Sequence, residues 1–205
     1  MKNLLLILGL FLVAGSATAQ SDMIGVYFDP IGFASIAYVP ANTSFDVYIA
    51  ITEPSAAEVW GVEFAYELLV NPGDEGKVFR LATGLPAQAI DLGENELPLT
   101  GEYFVGLGTP LVAAPVVNFV VWTMMVSDDI PVYFTLGPVR RQSLDDGLPA
   151  YEAGGTIVPL AINAPVGFPP PVLGGGSGFP FCACLNDCVV GTEAASFGTV
   201  KALYR

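Results

Sequence analysis

The chain has 205 residues, of which 53% are hydrophobic and only 13% charged, and its 20 acidic and 7 basic residues give a net charge of −13. The hydrophobic fraction excludes a disordered chain, and the negative charge argues against nucleic acid or an anionic membrane surface as a partner. The sequence contains no histidine. This excludes Ser-His-Asp and Cys-His catalysis, histidine-ligated zinc and histidine pH switches.

The first segment has the three-part pattern of a secretory signal peptide. Lys2 precedes an apolar run over residues 4–14, and Ala17-Thr18-Ala19 forms a small-x-small cleavage site. We therefore predict a signal peptide over residues 1–19 and a secreted protein that is extracellular or periplasmic, with the cell surface as a further location. The apolar run is too short for a membrane span, which needs about 20 residues, and we predict no span elsewhere.

Alternation of apolar and mixed residues with a period of two dominates residues 20–163. In residues 43–52, for example, Phe45, Val47, Ile49 and Ile51 share one parity, as a half-buried strand requires. The strands predicted in this way are, in chain order, 24–28, 33–39, 43–52, 59–70, 77–83, 102–108, 116–126, 131–139 and 155–162.

The residues of two of these predicted strands indicate where each strand lies in its sheet. The run 116–126 is apolar on both parities, which predicts a central strand covered on both faces. Pro159 lies inside the last predicted strand and favours an edge position, because proline cannot donate a ladder hydrogen bond. Many short strands separated by Gly- and Pro-containing turns indicate an all-β fold. We predict an antiparallel β-sandwich over residues 20–163, of jelly-roll or immunoglobulin-like type.

The composition changes after residue 163. Residues 164–181 are rich in proline and glycine, and we predict a linker there. Residues 182–205 are predicted to form a tail outside the sandwich, with a short helix within its last ten residues. The sequence thus predicts one folded domain followed by a linker and an appendage.

The tail contains all three cysteines of the chain. Cys182, Cys184 and Cys188, with Asp187 as a fourth ligand, would form an unusual metal site, since structural zinc takes four Cys or His ligands. Secreted proteins meet an oxidising environment, so we predict a disulfide. It closes as Cys182–Cys188 or Cys184–Cys188, because Cys182–Cys184 would be too tight. Metal binding and free thiols are the alternatives, and any single disulfide leaves one odd cysteine.

Four turn carboxylates are candidate calcium ligands, because carboxylate oxygens from neighbouring loops can build a Ca²⁺ site. They are Asp128, Asp129, Asp145 and Asp146. The alternative is that these aspartates are solvated turn residues, chosen because an Asp side chain hydrogen-bonds its own turn.

Two further kinds of site were considered, a pair of catalytic carboxylates and a set of sugar-binding aromatic residues. Glycoside hydrolysis needs two carboxylates across a cleft, whereas Glu63 and Glu67 lie along one predicted strand, where we interpret them as charges on a solvated face. Trp60 shares the apolar parity of its strand and is expected to pack in the core. Tyr38 and Tyr48 are better exposed candidates for stacking on a sugar.

Residues 43–69 resemble the early hairpin of cohesin-like sandwiches and related secreted carbohydrate-binding sandwiches. The resemblance is carried by "G-x-E-F-x-Y", here Gly61, Glu63, Phe64 and Tyr66, while the "Y-D-P" turn expected after that strand is replaced by "ELLVNPGDEG". It implies a cohesin-like sandwich and an extracellular interaction role, and it transfers no catalytic residue. The last 14 residues resemble the tails of uncharacterised secreted bacterial proteins, in which a Phe-Gly pair precedes a terminus like "VKALYR".

The sequence therefore predicts a secreted, non-enzymatic interaction or structural module that acts outside the cell or on its surface. Its partner is expected to be an extracellular protein or a polysaccharide. The alternative is a carbohydrate- or calcium-binding module, and a third reading is a hydrolase that works from carboxylates alone. No cofactor is expected apart from the calcium of the alternative.

Overall fold

The computed structural model describes residues 22–165 and 176–186, so the predicted signal peptide, most of the predicted linker and the chain from residue 187 onward lie outside it. The strands of the described residues are β1 (Met23–Tyr27), β2 (Ile36–Ala37), β3 (Ser44–Thr52), β4 (Glu58–Leu69), β5 (Val78–Gly84), β6 (Ala89–Asp91), β7 (Thr100–Val112), β8 (Val116–Val126), β9 (Val132–Gly137), β10 (Ala150–Ala153), β11 (Thr156–Pro159), β12 (Ala161–Ile162) and β13 (Phe181–Leu185). One turn of 3₁₀ helix, Glu75–Lys77, is the only helical segment in this part of the chain. Within the same residues, no helix has the length and apolar character needed to cross a membrane.

The strands form two sheets that pack face to face, which confirms the predicted β-sandwich. Sheet A has the order β12-β1-β3-β8-β5, and sheet B has the order β11-β10-β4-β9-β13-β2, with β7 added beside β4 and β6 beside β7. The core lies between the sheets and takes the inward-facing residues of each strand, such as Val47 and Ile49 of sheet A and Val62 and Phe64 of sheet B. Such alternation is what the period-two pattern of the sequence requires.

An aromatic cluster joins the two sheets at the centre of the core. Tyr66 of β4 packs edge-on against Trp122 of β8 with ring centroids 4.8 Å apart. The Trp122 indole Nε1–H donates to the Tyr103 hydroxyl at 2.8 Å. Arg80 of β5 closes one end of the cluster and donates to the Tyr66 hydroxyl at 2.7 Å. Polar tips of the large aromatic residues are thus satisfied inside an apolar interior.

The prediction of purely antiparallel pairing is wrong for two strand pairs. β1 runs parallel to β12, and β2 runs parallel to β13, so both sheets are mixed. Each parallel pair joins strands that are far apart in the chain, which leaves room for the crossover that parallel pairing needs. A period-two pattern reports which face is buried, but it does not report the direction of the neighbouring strand.

The predicted strand 155–162 divides between the two sheets. β11 is the edge strand of sheet B, as Pro159 predicted, whereas β12 is the edge strand of sheet A. The central position of β8 is also confirmed, because it pairs with β3 on one side and β5 on the other. Its predicted cover on both faces is wrong, since buried residues alternate with half-buried ones along most of the strand.

The prediction that the cysteine segment lies outside the sandwich is wrong for residues 181–185. All five residues of β13, "FCACL", are buried, and the strand pairs with β9 on one side and β2 on the other. Cysteine and alanine are among the residue types most often fully buried. The short run therefore packs as a core strand although a Pro/Gly-rich segment precedes it.

Asn186 fixes the end of β13 to the surrounding loops. Its backbone N–H donates to the Ala37 carbonyl at 2.8 Å, its side-chain oxygen accepts from the Val39 N–H at 2.8 Å, and its Nδ2 donates to the Ile130 carbonyl at 3.1 Å. The residue is buried, so these bonds satisfy polar groups that water cannot reach.

Candidate functional site

The outer face of sheet B carries the candidate site, and the register of β4 and β7 builds it. Alternate residues of β4 point away from the core, and on β7 they are paired across the sheet as Gly61 with Gly106, Glu63 with Phe104, and Ala65 with Glu102. Paired residues of adjacent strands lie on the same face. The face is therefore a surface of small, acidic and aromatic residues.

An exposed apolar patch covers the β6–β7 side of this face. Ile90 pairs with Gly106, and the Leu92 N–H donates to the Phe104 carbonyl at 3.0 Å. The side chains of Ile90, Leu92 and Phe104 are 66%, 76% and 42% exposed. Because the three positions are neighbours in the ladder, their side chains form one patch, and contiguous exposed apolar patches are a mark of interaction sites.

A wide acidic groove of about 700 Å³ continues along the same face. Glu67, Glu94, Glu96 and Glu102 line it, together with Arg140. Arg140 Nη2 lies 2.7 Å from Glu94 Oε2 and 3.0 Å from Glu102 Oε1, and hydrogen bonds from Arg140 hold the pKa of Glu102 below its ordinary value. Arg140 pairs with two of the four carboxylates, and Arg141 acts on Glu102 from nearby. The four acidic residues still outnumber these two cations, which leaves the groove net negative.

The segment that precedes β13 forms one wall of the acidic groove. Phe179 packs directly on Gly137 of β9, where a Cβ atom would stand only 2.3 Å from the ring. Ser177 donates to the Glu67 carboxylate from its backbone N–H at 2.7 Å and also from its hydroxyl. Part of the predicted linker therefore lies on the sheet and holds a groove carboxylate in place.

A smaller pocket of about 240 Å³ opens at the other end of the face, beside Phe104. Gly61 and Gly106 line it without side chains, and its other lining residues include Trp60, Ile157 and the carboxylates of Glu63 and Glu152. Glu63 is only 5% exposed, and Ser143 donates to it from its backbone N–H at 2.8 Å and from its hydroxyl at 2.7 Å. The pocket thus places a buried carboxylate against apolar walls.

The interpretation of Glu63 and Glu67 as charges on a solvated face is corrected by these contacts. Glu63 is buried and Glu67 half-buried, because loop residues Ser143 and Ser177 fold over the sheet and donate to them. Glu63 lines the small pocket and Glu67 lines the acidic groove. The two carboxylates therefore do not face one common cleft.

The aromatic candidates divide between core and surface. Tyr66 and Trp122 are fully buried, but Trp60, which was expected in the core, is half-buried and lines the small pocket. The register of β4 and β7 shifts between Val59 and Gly61, and this irregularity breaks the parity that the sequence suggests. Tyr38 is exposed and donates to Asp129 at 3.2 Å, while Tyr48 is half-buried.

The four calcium candidates have other partners or lie in an open turn. Asp128 pairs with Lys77 at 2.9 Å, Asp129 accepts from Tyr38, and Asp146 accepts from the Leu148 N–H at 3.0 Å. Asp145 is exposed. Among residues 22–165 and 176–186, no group of three or more Cys, Asp or Glu side chains is arranged to hold a metal ion. Calcium binding by these residues stays a prediction.

The two described cysteines are both buried. Cys182 is a free thiol, and its burial raises the thiol pKa well above the ordinary value. Asp187 and Cys188 lie outside the described residues, as does the short helix predicted within the last ten residues, so a disulfide between Cys184 and Cys188 stays a prediction.

Comparisons with solved structures relate the fold to cohesin modules. The chain is similar to the sixth cohesin of scaffoldin B from Acetivibrio cellulolyticus, solved in complex with a Cel5 dockerin mutant, at 9% identity and a TM-score of 0.49 over 70% of this chain and 95% of that one. It is also similar to a type II cohesin domain from the cellulosome of the same organism, at 8% identity and a TM-score of 0.48 over 70% and 92% of the two chains.

A third similar structure is a non-cellulosomal cohesin from the archaeon Archaeoglobus fulgidus, at 13% identity and a TM-score of 0.42 over 70% of this chain and 86% of that one. The sequence matches no family model and no curated protein. The two packed sheets of the structure confirm the predicted β-sandwich, and the similar solved structures reported above are cohesin modules. Identities of this size do not identify partners.

The sequence analysis did not predict the exposed apolar residues of sheet B. Phe104 stands at an outward position of β7 between the inward-facing Tyr103 and Val105. An apolar residue at a position where alternation calls for a polar one was the available signal. Ile90 and Leu92 gave no such signal, because β6 has only three residues.

Proposed function

We propose that the chain is a secreted, non-enzymatic module that binds an extracellular protein through the outer face of sheet B. The observation that carries this proposal is the continuity of the exposed apolar patch with the acidic groove. Leu92 and Phe104 of the patch line the same hollow as Glu94 and Glu102 of the groove, and Phe104 also lines the small pocket. An apolar centre with a charged surround is the usual composition of a protein–protein interface.

The charge of this face favours a basic partner surface. The groove presents four carboxylates, from Glu67, Glu94, Glu96 and Glu102, against the cations of Arg140 and the neighbouring Arg141, and the whole chain is strongly acidic. Complementary charge steers association and selects among partners. A protein with a basic rim around an apolar anchor therefore fits the face better than an acidic protein does.

A polysaccharide fits the same face less well. Sugar-binding sites that rely on stacking present flat aromatic rings to the solvent, whereas the exposed residues of the patch are mainly aliphatic, with Phe104 as its one aromatic ring. Some of the similar cohesin modules were solved in complex with dockerins, which are proteins. The groove and patch of this chain, rather than that likeness, support the proposal.

The test compares matched leucine substitutions on the two sheets. The chain without its predicted signal peptide is used to capture a partner from the secreted proteins of its own organism. The affinity of the recovered protein is then measured for the unchanged chain and for its Leu92→Asp and Leu81→Asp variants. Leu92 lies on the patch, and Leu81 is a comparably exposed leucine on β5 of sheet A. We expect Leu92→Asp to weaken binding at least about tenfold, as for an interface hot spot, and Leu81→Asp to leave it unchanged. Equal binding by the Leu92→Asp variant and the unchanged chain would contradict the proposal.

A further inference from the structure

The small pocket beside Phe104 has the size of a single side chain. Its volume of about 240 Å³ holds roughly eight groups of the size of a water molecule, each with about 30 Å³. Pockets for drug-sized ligands begin at about 300 Å³. Gly106 keeps the pocket open, because an added Cβ there meets no atom within 4 Å, so a side chain would project into the pocket. At Gly61 an added Cβ would stand 2.7 Å from the Val105 carbonyl oxygen, so this glycine permits the close approach of β4 and β7.

The walls of the pocket are apolar, but one of them carries a buried carboxylate. Glu63 is 5% exposed, and Ser143 is the only donor to it within residues 22–165 and 176–186. No lysine or arginine among the described residues forms an ion pair with it. An ionised carboxylate has about four acceptor sites, of which Ser143 uses two. A buried carboxylate without a cation is costly unless a partner neutralises it.

Two further features of the lining suit a cation. Trp60 and Phe104 provide aromatic surface, and aromatic faces attract ammonium and guanidinium groups. Glu152 adds a second carboxylate to the lining. Lysine and arginine bury their aliphatic stems on apolar surface and direct their charged ends to polar groups, which is the combination that this pocket offers.

We propose, on the basis of the proposed function above, that the pocket receives a lysine or arginine side chain of the partner protein. The aliphatic stem packs between Trp60 and Phe104, over the glycine floor, and the charged end forms a charge-assisted hydrogen bond with Glu63. The acidic groove then accommodates the basic residues that surround this anchor on the partner.

The test uses short peptides and needs no partner protein. Ac-Gly-Lys-Gly-NH₂ and Ac-Gly-Nle-Gly-NH₂ differ only in the charged end, since norleucine keeps the aliphatic stem. Each is titrated into the isotopically labelled secreted chain while the amide signals of Gly61 and Gly106 and the indole signal of Trp60 are followed by NMR. The indole signal of Trp122, which lies in the core, serves as an internal control.

We expect the lysine peptide to shift the pocket signals saturably and to bind about tenfold more tightly than the norleucine peptide, the effect of one hydrogen bond to a charged group. Glu63→Gln should abolish this preference while keeping the size of the side chain. Gly106→Val should fill the pocket and abolish binding of both peptides. Gly84→Val is the matched control, because a Cβ there makes only an ordinary contact of 3.6 Å on β5 of the other sheet.

Equal binding of the two peptides, a lysine preference that survives Glu63→Gln, or shifts that map outside the pocket would each overturn the proposal. A variant that melts much lower than the unchanged chain is replaced by Gly106→Ala, which fills less of the pocket and should weaken binding in part. These outcomes are separate from the proposed function. A partner whose binding responds to Leu92→Asp but not to Glu63→Gln would support the interaction face and reject the cationic anchor.

Discussion

Leu185→Ala tests whether the cysteine-containing segment belongs to the folded core. Leu185 is the last residue of β13, is fully buried, and belongs to the main core cluster. It pairs with Val132 of β9 on one side and with Ala37 of β2 on the other. If the segment were a tail outside the sandwich, shortening this side chain would change little.

The expected loss of stability follows from the burial of the side chain. Replacing a fully buried leucine by alanine removes apolar contact and leaves a cavity, which together cost about 2 to 5 kcal/mol. For a chain of this length, each kcal/mol lowers the melting temperature by about 2 to 4 °C. We therefore expect Leu185→Ala to melt about 4 to 20 °C below the unchanged chain.

Urea unfolding under non-reducing conditions measures this loss without changing the oxidation state of the cysteines. Leu81→Ala is the matched control, because Leu81 is 54% exposed on the edge strand β5, and its unfolding free energy should change by less than about 0.5 kcal/mol. If Leu185→Ala unfolds at the same urea concentration as the control, β13 does not contribute to the core and the assignment of this strand is refuted.

Two further predictions concern buried polar groups. Cys182→Ser should lower the free energy of unfolding by about 1 to 3 kcal/mol, because a hydroxyl is more costly to remove from water than a thiol. A hydrogen bond to the Phe134 carbonyl, which the thiol now makes at 3.2 Å, offsets only part of this cost, and an unchanged urea midpoint would contradict the prediction. Burial raises the pKa of the Tyr66 hydroxyl to about 12, although Arg80 acts in the opposite direction. The unfolded chain therefore loses this proton first, so the stability due to neutral Tyr66 is complete below pH 10 and is lost as the pH rises towards 12. Urea midpoints measured across this range should fall less steeply in Tyr66→Phe, and identical slopes would contradict the assignment.

The strands that the sequence predicted well are long runs of apolar residues with strand character. The predicted strand 43–52 corresponds to β3, Ser44–Thr52, and the predicted strand 116–126 has the bounds of β8. In β3 the burial of one face produces a regular alternation, whereas β8 was identified by its continuous apolar run. β6 and β10 were missed because three or four residues are too few to establish a period.

β13 was missed for a different reason. The clustered cysteines of "FCACL" suggested disulfide chemistry, and the proline and glycine residues before it suggested a linker. Its burial depends on pairing with β9 and β2, which are distant in the chain. A local pattern of five small and apolar residues contains no information about that pairing.

The candidate site depends on long-range register in the same way. Gly61 and Gly106 line one pocket only because β4 and β7 place them opposite each other. Glu63 is buried only because Ser143, which is 80 positions away along the chain, folds over it. The sequence could show that residue 63 is a carboxylate on a strand, but it could not show what covers that carboxylate.

The structure of the complex with the captured partner tests the central claim most directly. We expect the partner to cover the outer face of sheet B, with Leu92 and Phe104 at the centre of the interface and the acidic groove at its rim. The outer face of sheet A, including Leu81, should remain free. A partner that covers sheet A and leaves Leu92 and Phe104 exposed would contradict the assignment of the interaction face.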